Sequence, residues 1–189
     1  MIFGLVVLAI VAVVLLWGVA IYNGLVRLRA LVAEGFSGIT VQLRRRADLI
    51  PNLVATVEGY ATHEREVLTQ VTAHRADAVQ GGSVAATAQA DAAMTGWLGR
   101  LMAVAEAYPD LKANQNFQQL QSELSEIEDN LQSARRYYNA TVRDLNTKIQ
   151  FFPAVLIARP MGFTEAEFYA DADQSIQSAP VVSFGQKKA

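Results

Sequence analysis

The chain has 189 residues, with 16 Lys and Arg against 18 Asp and Glu, a formal net charge of -2 and no cysteine. The missing cysteine excludes disulfides, thiolate nucleophiles and Cys-based zinc or iron sites together. The slightly acidic balance, with a pI of about 5.7, gives no global basic field for nucleic acid.

Ile2 to Tyr22 run for 21 positions without a charged side chain. At about 1.5 Å per helical residue this is roughly 31 Å, which matches a hydrocarbon core of about 30 Å. One pass through a bilayer is expected. A secretory signal peptide would need a basic leading region, a shorter apolar core and a small-residue cleavage site. Here Met1 is followed directly by Ile2, Phe3 and Gly4, so an uncleaved anchor is the preferred reading. Trp17 and Tyr22 sit near its end, where amphipathic rings favour the headgroup layer. Arg27 and Arg29 follow the run and no Lys or Arg precedes it. The positive-inside rule then expects the body in the cytoplasm.

The 167 residues after Tyr22 suffice for one domain. Five Pro and 12 Gly are few for this length, and Ala, Gln, Leu and Glu dominate the middle. An all-α domain is expected. Leu25, Leu28, Val32, Phe36, Ile39 and Leu43 repeat at three- and four-residue spacing, the mark of one buried helical stripe. The stripe resumes with Ile50, Leu53, Val57, Tyr60, Val67 and Val71 and dissolves at Gly81-Gly82. Pro51 should kink or break the helix, since it removes a hydrogen bond and clashes with the carbonyl of Ala47. A tight connection at Asp48-Leu49-Ile50-Pro51 is preferred over one long kinked rod.

A further helix is expected from Ser83 to Tyr108, with Met94, Trp97, Leu98, Leu101, Met102 and Ala105 inside and Pro109 ending it. In the last, Phe117, Leu120, Leu124, Ile127, Leu131, Ala134, Tyr138, Val142, Leu145 and Ile149 step by three or four without a fault. Phe151-Phe152-Pro153 closes it. The expected architecture is an anchor at 1–22, an antiparallel bundle of four helices at 23–153, and a tail at 154–189 of short elements or disorder. The alternative is three helices, the first long and kinked.

Chemistry is sparse. His63-Glu64-Arg65-Glu66-Val67 begins like a zinc-protease motif, but Val67 stands where the second His belongs. His74, the only other histidine, lies about 16 Å further along a helix, so no metal site is expected. Gly81-Gly82-Ser83 lacks the strand and the Gly-Lys-Ser/Thr ending of a phosphate loop. The carboxylates of the last helix are placed on exposed flanks of its stripe. No catalytic residue and no cofactor site emerges.

Two segments could meet partners. Arg44-Arg45-Arg46 is the densest charge in the chain, read first as a solvated face and second as a contact for an acidic partner or anionic lipid. Phe151, Phe152 and Leu156 belong to an apolar segment outside the bundle stripe. It could touch lipid, dock a neighbouring membrane protein or cap the end of the core.

The strings Tyr22-Asn23-Gly24-Leu25-Val26 and Val41-Gln42-Leu43-Arg44-Arg45-Arg46-Ala47-Asp48-Leu49-Ile50-Pro51-Asn52-Leu53-Val54 resemble the LemA family of bacterial single-pass membrane proteins. So do Gly59-Tyr60-Ala61 with His63-Glu64, Ala107-Tyr108-Pro109-Asp110-Leu111-Lys112-Ala113-Asn114, Phe117, Leu120, Tyr138-Asn139 and Phe152-Pro153. Departures are Thr40, where an Asp is common, and Gly35-Phe36, where Ala-Trp is. The resemblance implies a short external N-terminus, one anchor and a cytoplasmic helical bundle. It supplies no catalytic residues, since the family has no established enzymatic activity.

The expected function is a membrane-anchored scaffold or adaptor that organises protein partners or membrane and can self-associate. A regulatory subunit of a membrane protease or envelope stress response is the alternative.

Overall fold

A computed structural model describes residues 2–61, 65–79 and 82–169; most of these are helical, the stretch from 159 to 169 is not, and there is no strand among them. The long elements are α1 (Ile2–Glu58), α2 (Arg65–Val79), α3 (Val84–Glu106) and α5 (Gln115–Gln150). The short turns α4 (Pro109–Lys112) and α6 (Val155–Ala158) connect or follow them.

At 57 residues, or about 86 Å at helical rise, α1 is the spine of the molecule. Its first five turns are apolar on every face and, among the described residues, are left exposed apart from an approach of Ile157 to Gly18. Burial begins at Ile21 and Leu25 and then follows the expected stripe through Ile39, Leu43, Ile50, Leu53 and Val57. The helix passes through Pro51 without ending. Pro51 is on the solvent face while Ile50 and Leu53 on either side are fully buried, so packing holds both halves in phase and the lost bond falls on the exposed side. The expected break at Asp48–Pro51 is thus displaced to Gly59, where Tyr60 and Ala61 both close back on the Val57 carbonyl.

The turn at Gly59 reverses the chain, so α2 runs back along the distal part of α1. Ser83 caps α3 by accepting a hydrogen bond from the Ala86 amide, and the chain reverses again. Pro109 opens α4, whose first turn tolerates its missing N–H. Asn114 then caps α5 through the amides of Asn116 and Phe117. The body is therefore four antiparallel long helices, with the second shorter than the stripe suggested.

Three apolar clusters stack along the seam between α1 and α5. At the anchor end Ile21 and Leu25 meet Leu145, Ile149, Ala154, Ala158 and Phe163. In the middle Ile39 and Leu43 meet Leu131, Tyr138, Val142 and Tyr169. At the far end Ile50, Leu53 and Val57 meet α2, α3 and Phe117. Gly35 sets the closest approach: a Cβ there would lie 3.1 Å from the Cα of Tyr138.

Candidate functional site

Polar burial concentrates where α1, α3 and α5 converge. Arg46 is 1% exposed, and Asp91, on the inner stripe of α3, is 2% exposed. One Arg46 nitrogen donates to the Asp91 carboxylate and, at 3.2 Å, to the Asp91 carbonyl. The other donates to Glu128 at 3.0 Å and to the Thr95 hydroxyl at 3.1 Å. Arg135 of α5 binds the second Asp91 oxygen. The Tyr169 hydroxyl donates to that same oxygen at 2.7 Å, and the Arg135 guanidinium lies 5.6 Å from the Tyr169 ring centre. Two guanidinium groups, two carboxylates and a phenol thus pair with one another, Arg46 and Asp91 withdrawn from water and Glu128 partly exposed, which lowers the penalty of burying the inner charges.

Burial works against the charge on Arg135, but the neighbouring Asp91 charge and hydrogen bond outweigh it and raise its pKa. Burial, reinforced by the hydrogen bond to and charge of Asp91, pushes the Tyr169 phenol well above its ordinary range. Both groups therefore keep their protons at neutral pH. No proton is poised for transfer between them, and the cluster behaves as a clamp.

The clamp is closed by the tail. After α6 the chain turns at Gly162, whose φ of +75° suits a residue without a Cβ. It then runs extended across α5 from Phe163 to Tyr169. Asn146 pairs with the N–H and C=O of Ala166 at 2.8 and 2.9 Å, and Asn139 with those of Tyr169 at 2.9 and 3.1 Å. The spacing explains the match: seven helical residues rise about 10.5 Å, and three extended residues span about 10 Å. Tyr138 adds a bond from its hydroxyl to the Glu167 carbonyl at 2.7 Å. Residues 163–169, expected as short elements or disorder, are therefore an ordered strap.

The basic run separates into two roles. Arg44 and Arg45 are exposed, whereas Arg46 is buried in the clamp, so it belongs to no surface face or docking patch. Glu128 is likewise corrected: expected on an exposed flank, it is half-buried and bonded to Arg46. Phe151, Phe152 and Leu156 are exposed, far along α5 from the clamp. His63 lies outside the described residues, and His74 is placed only as a position of α2. Sequence reasoning missed Asp91 and Tyr169. Asp91 carried a signal, because it precedes Met94 by three positions on the apolar stripe. Arg46 carried the same one, in step with Leu43 and Ile50.

The LemA family model matches residues 35–184. The chain belongs to the LemA family. Similar proteins include Magnetosome protein MamQ 2 of Paramagnetospirillum magneticum, 26% identical over 79% of this chain and 65% of the relative. Magnetosome protein MamQ of Magnetospirillum gryphiswaldense is 25% identical over 78% and 64%. Protein LemA of Metamycoplasma hominis is 32% identical over 62% and 54%. The chain spans less than two thirds of the length of these curated relatives. None of these names denotes an enzymatic reaction. The matched region starts at Gly35 and contains the clamp and the strap, while the apolar part of α1 precedes it. That uncovered apolar helix marks a membrane protein.

Proposed function

We propose that this LemA family member is a non-catalytic, membrane-anchored scaffold, crossing the inner membrane once and holding a helical body at the cytoplasmic face for protein partners. The observation that carries this reading is the continuity of α1: one helix passes from an uncovered apolar segment into the core of the body. A flexible tether would need a linker between Tyr22 and Leu25. Instead Ile21 and Leu25 are both buried against the end of α5 and the cap that follows it.

Two further features agree. The buried Arg46 and Asp91 pair with each other, and Arg135 and Glu128 join them from α5. Exposed Arg27 and Arg29 follow the apolar segment and favour the cytoplasmic side for that end. The names of the MamQ relatives point to a structure and not to a reaction, which suits an organising role.

Cross-linking the intact protein in its native membrane, followed by mass measurement of the solubilised complexes, tests the reading. A defined complex with stoichiometric neighbours, or a defined homo-oligomer, is expected. A strict monomer without specific neighbours would remove the scaffold assignment.

A further inference from the structure

The segment after α5 has two faces. Ala154, Ala158 and Phe163 pack inward on Ile21, Leu25 and Ile149, with Ile157 partly buried beside them. Phe152 is 79% exposed, and Phe151, Leu156 and Met161 are each more than 60% exposed. Four large apolar side chains within eleven residues face away from the protein, although their neighbours fill the core.

Their height on the molecule is fixed by α1. Gly35 faces Tyr138 across the antiparallel pair. Fourteen residues onward from Tyr138 is Phe152, and fourteen back from Gly35 is Ile21, so Phe152 is level with the last turn of the apolar run. An independent contact agrees: the Ile157 side chain would lie 3.7 Å from a Cβ on Gly18. Gly18 is roughly 6 Å inside the Tyr22 end of the run at helical rise. Tyr22 itself stacks edge-on against Phe163, with ring centres 5.7 Å apart, and Arg29 lies 5.2 Å from the Phe163 ring centre. Exposed Arg27, Arg29, Lys148 and Arg159 surround this level together with Asp144 and Glu165.

We infer that the cap formed by residues 151–162 is a second membrane contact, with Phe151, Phe152, Leu156 and Met161 inserted among the lipids of the leaflet beside the anchor. The inference rests on α1 being a membrane anchor. Its energetic basis is that side chains costly to leave in water, on a rigid cap docked to the anchor, lie at the depth where aromatic and aliphatic groups partition into the interface. Anchor and cap together then form a two-point foot that restricts the tilt of the body.

The absence of cysteine makes the test direct. Single Phe152→Cys, Leu156→Cys, Ile10→Cys and Arg44→Cys variants of the full chain are spin-labelled. They are reconstituted in vesicles of phosphatidylcholine and phosphatidylglycerol, and relaxation by oxygen is compared with relaxation by a water-soluble nickel chelate. The expected oxygen-to-nickel ratio at positions 152 and 156 is several-fold higher than at 44 and approaches that at 10. If position 10 reads as lipid while 152 and 156 read as water, the inserted cap is overturned and the anchor stands. If 152 and 156 are shielded from both reagents, protein covers the patch and the lipid assignment is overturned. If position 10 itself reads as water, anchor and cap both fall.

Discussion

Arg46 on α1 donates to Asp91 on α3 across 45 positions of sequence, with both side chains withdrawn from water. Such a pair costs desolvation that its attraction roughly repays, so its worth lies in what happens when one partner goes. Asp91→Ala would leave Arg46 and Arg135 buried without their shared carboxylate. The expected loss is about 3–5 kcal/mol of stability. Arg46→Leu combined with Asp91→Leu should cost less than the two single changes added together, because neither charge is then stranded. A double-mutant cycle by urea unfolding of the detergent-solubilised protein checks this, and additive losses would contradict the clamp.

Tyr169 joins the tail to that clamp, and Tyr169→Phe removes only the hydroxyl that donates to Asp91. A loss of about 1.5–3 kcal/mol is expected for a hydrogen bond to a charged group. Alkaline pH gives a second reading of the same contact. Both Tyr169 and Tyr138 have phenols raised above the ordinary value, by burial first and by acidic neighbours next. The unfolded chain therefore releases these protons at lower pH than the folded one, and their contribution to stability, complete below about pH 10, is lost as pH rises further. The alkaline fall in urea midpoint should be shallower in Tyr169→Phe than in the parent. Equal slopes would place Tyr169 outside the clamp in solution.

The strap is read by its backbone through Asn139 and Asn146, whose amides each engage both polar groups of one strap residue. Asn139→Ala with Asn146→Ala should speed amide hydrogen exchange across residues 163–169 by at least tenfold, equivalent to about 1.4 kcal/mol. Exchange along the α1 and α5 seam should stay slow. Uniform acceleration over the whole body would mean that the strap and the bundle open as one unit.

Pro51 sits in an uninterrupted helix with its ring toward solvent. Pro51→Ala restores an N–H that can bond the Ala47 carbonyl and removes a residue about 3 kcal/mol poorer than Ala in a helix interior. A gain of about 1–3 kcal/mol in unfolding free energy is expected. A loss would show that the surrounding helix has adjusted to the proline.

Much of this architecture was legible because the signals were local and periodic. The stripe of α5 gave its core face almost residue by residue, and Ser83 through its capping hydroxyl and Pro109 through its missing N–H marked helix starts. Pro51 misled because a local rule yields to tertiary packing when the proline faces water and its neighbours Ile50 and Leu53 are fully buried. The clamp was hidden for a different reason. Arg46 lies inside a run of three arginines, its partners Asp91 and Glu128 come from two other helices, and Tyr169, which bonds Asp91, comes from the tail. Only the charged residues standing in phase with the apolar stripes hinted at it. The strap was less legible still, since its backbone is held by Asn139 and Asn146 of α5 and its own anchors Phe163 and Tyr169 follow no helical period.

In the proposed arrangement α1 holds the body rigidly against the membrane. Hydrogen exchange of the backbone amides from Ile21 to Arg29, measured on the full chain in lipid vesicles, tests it most directly. Continuous slow exchange through Asn23 and Gly24, comparable to that around Ile39 and Leu43, is the predicted result. Fast exchange confined to Tyr22–Leu25, with Ile39 and Leu43 still protected, would contradict it and reduce the anchor to a tether.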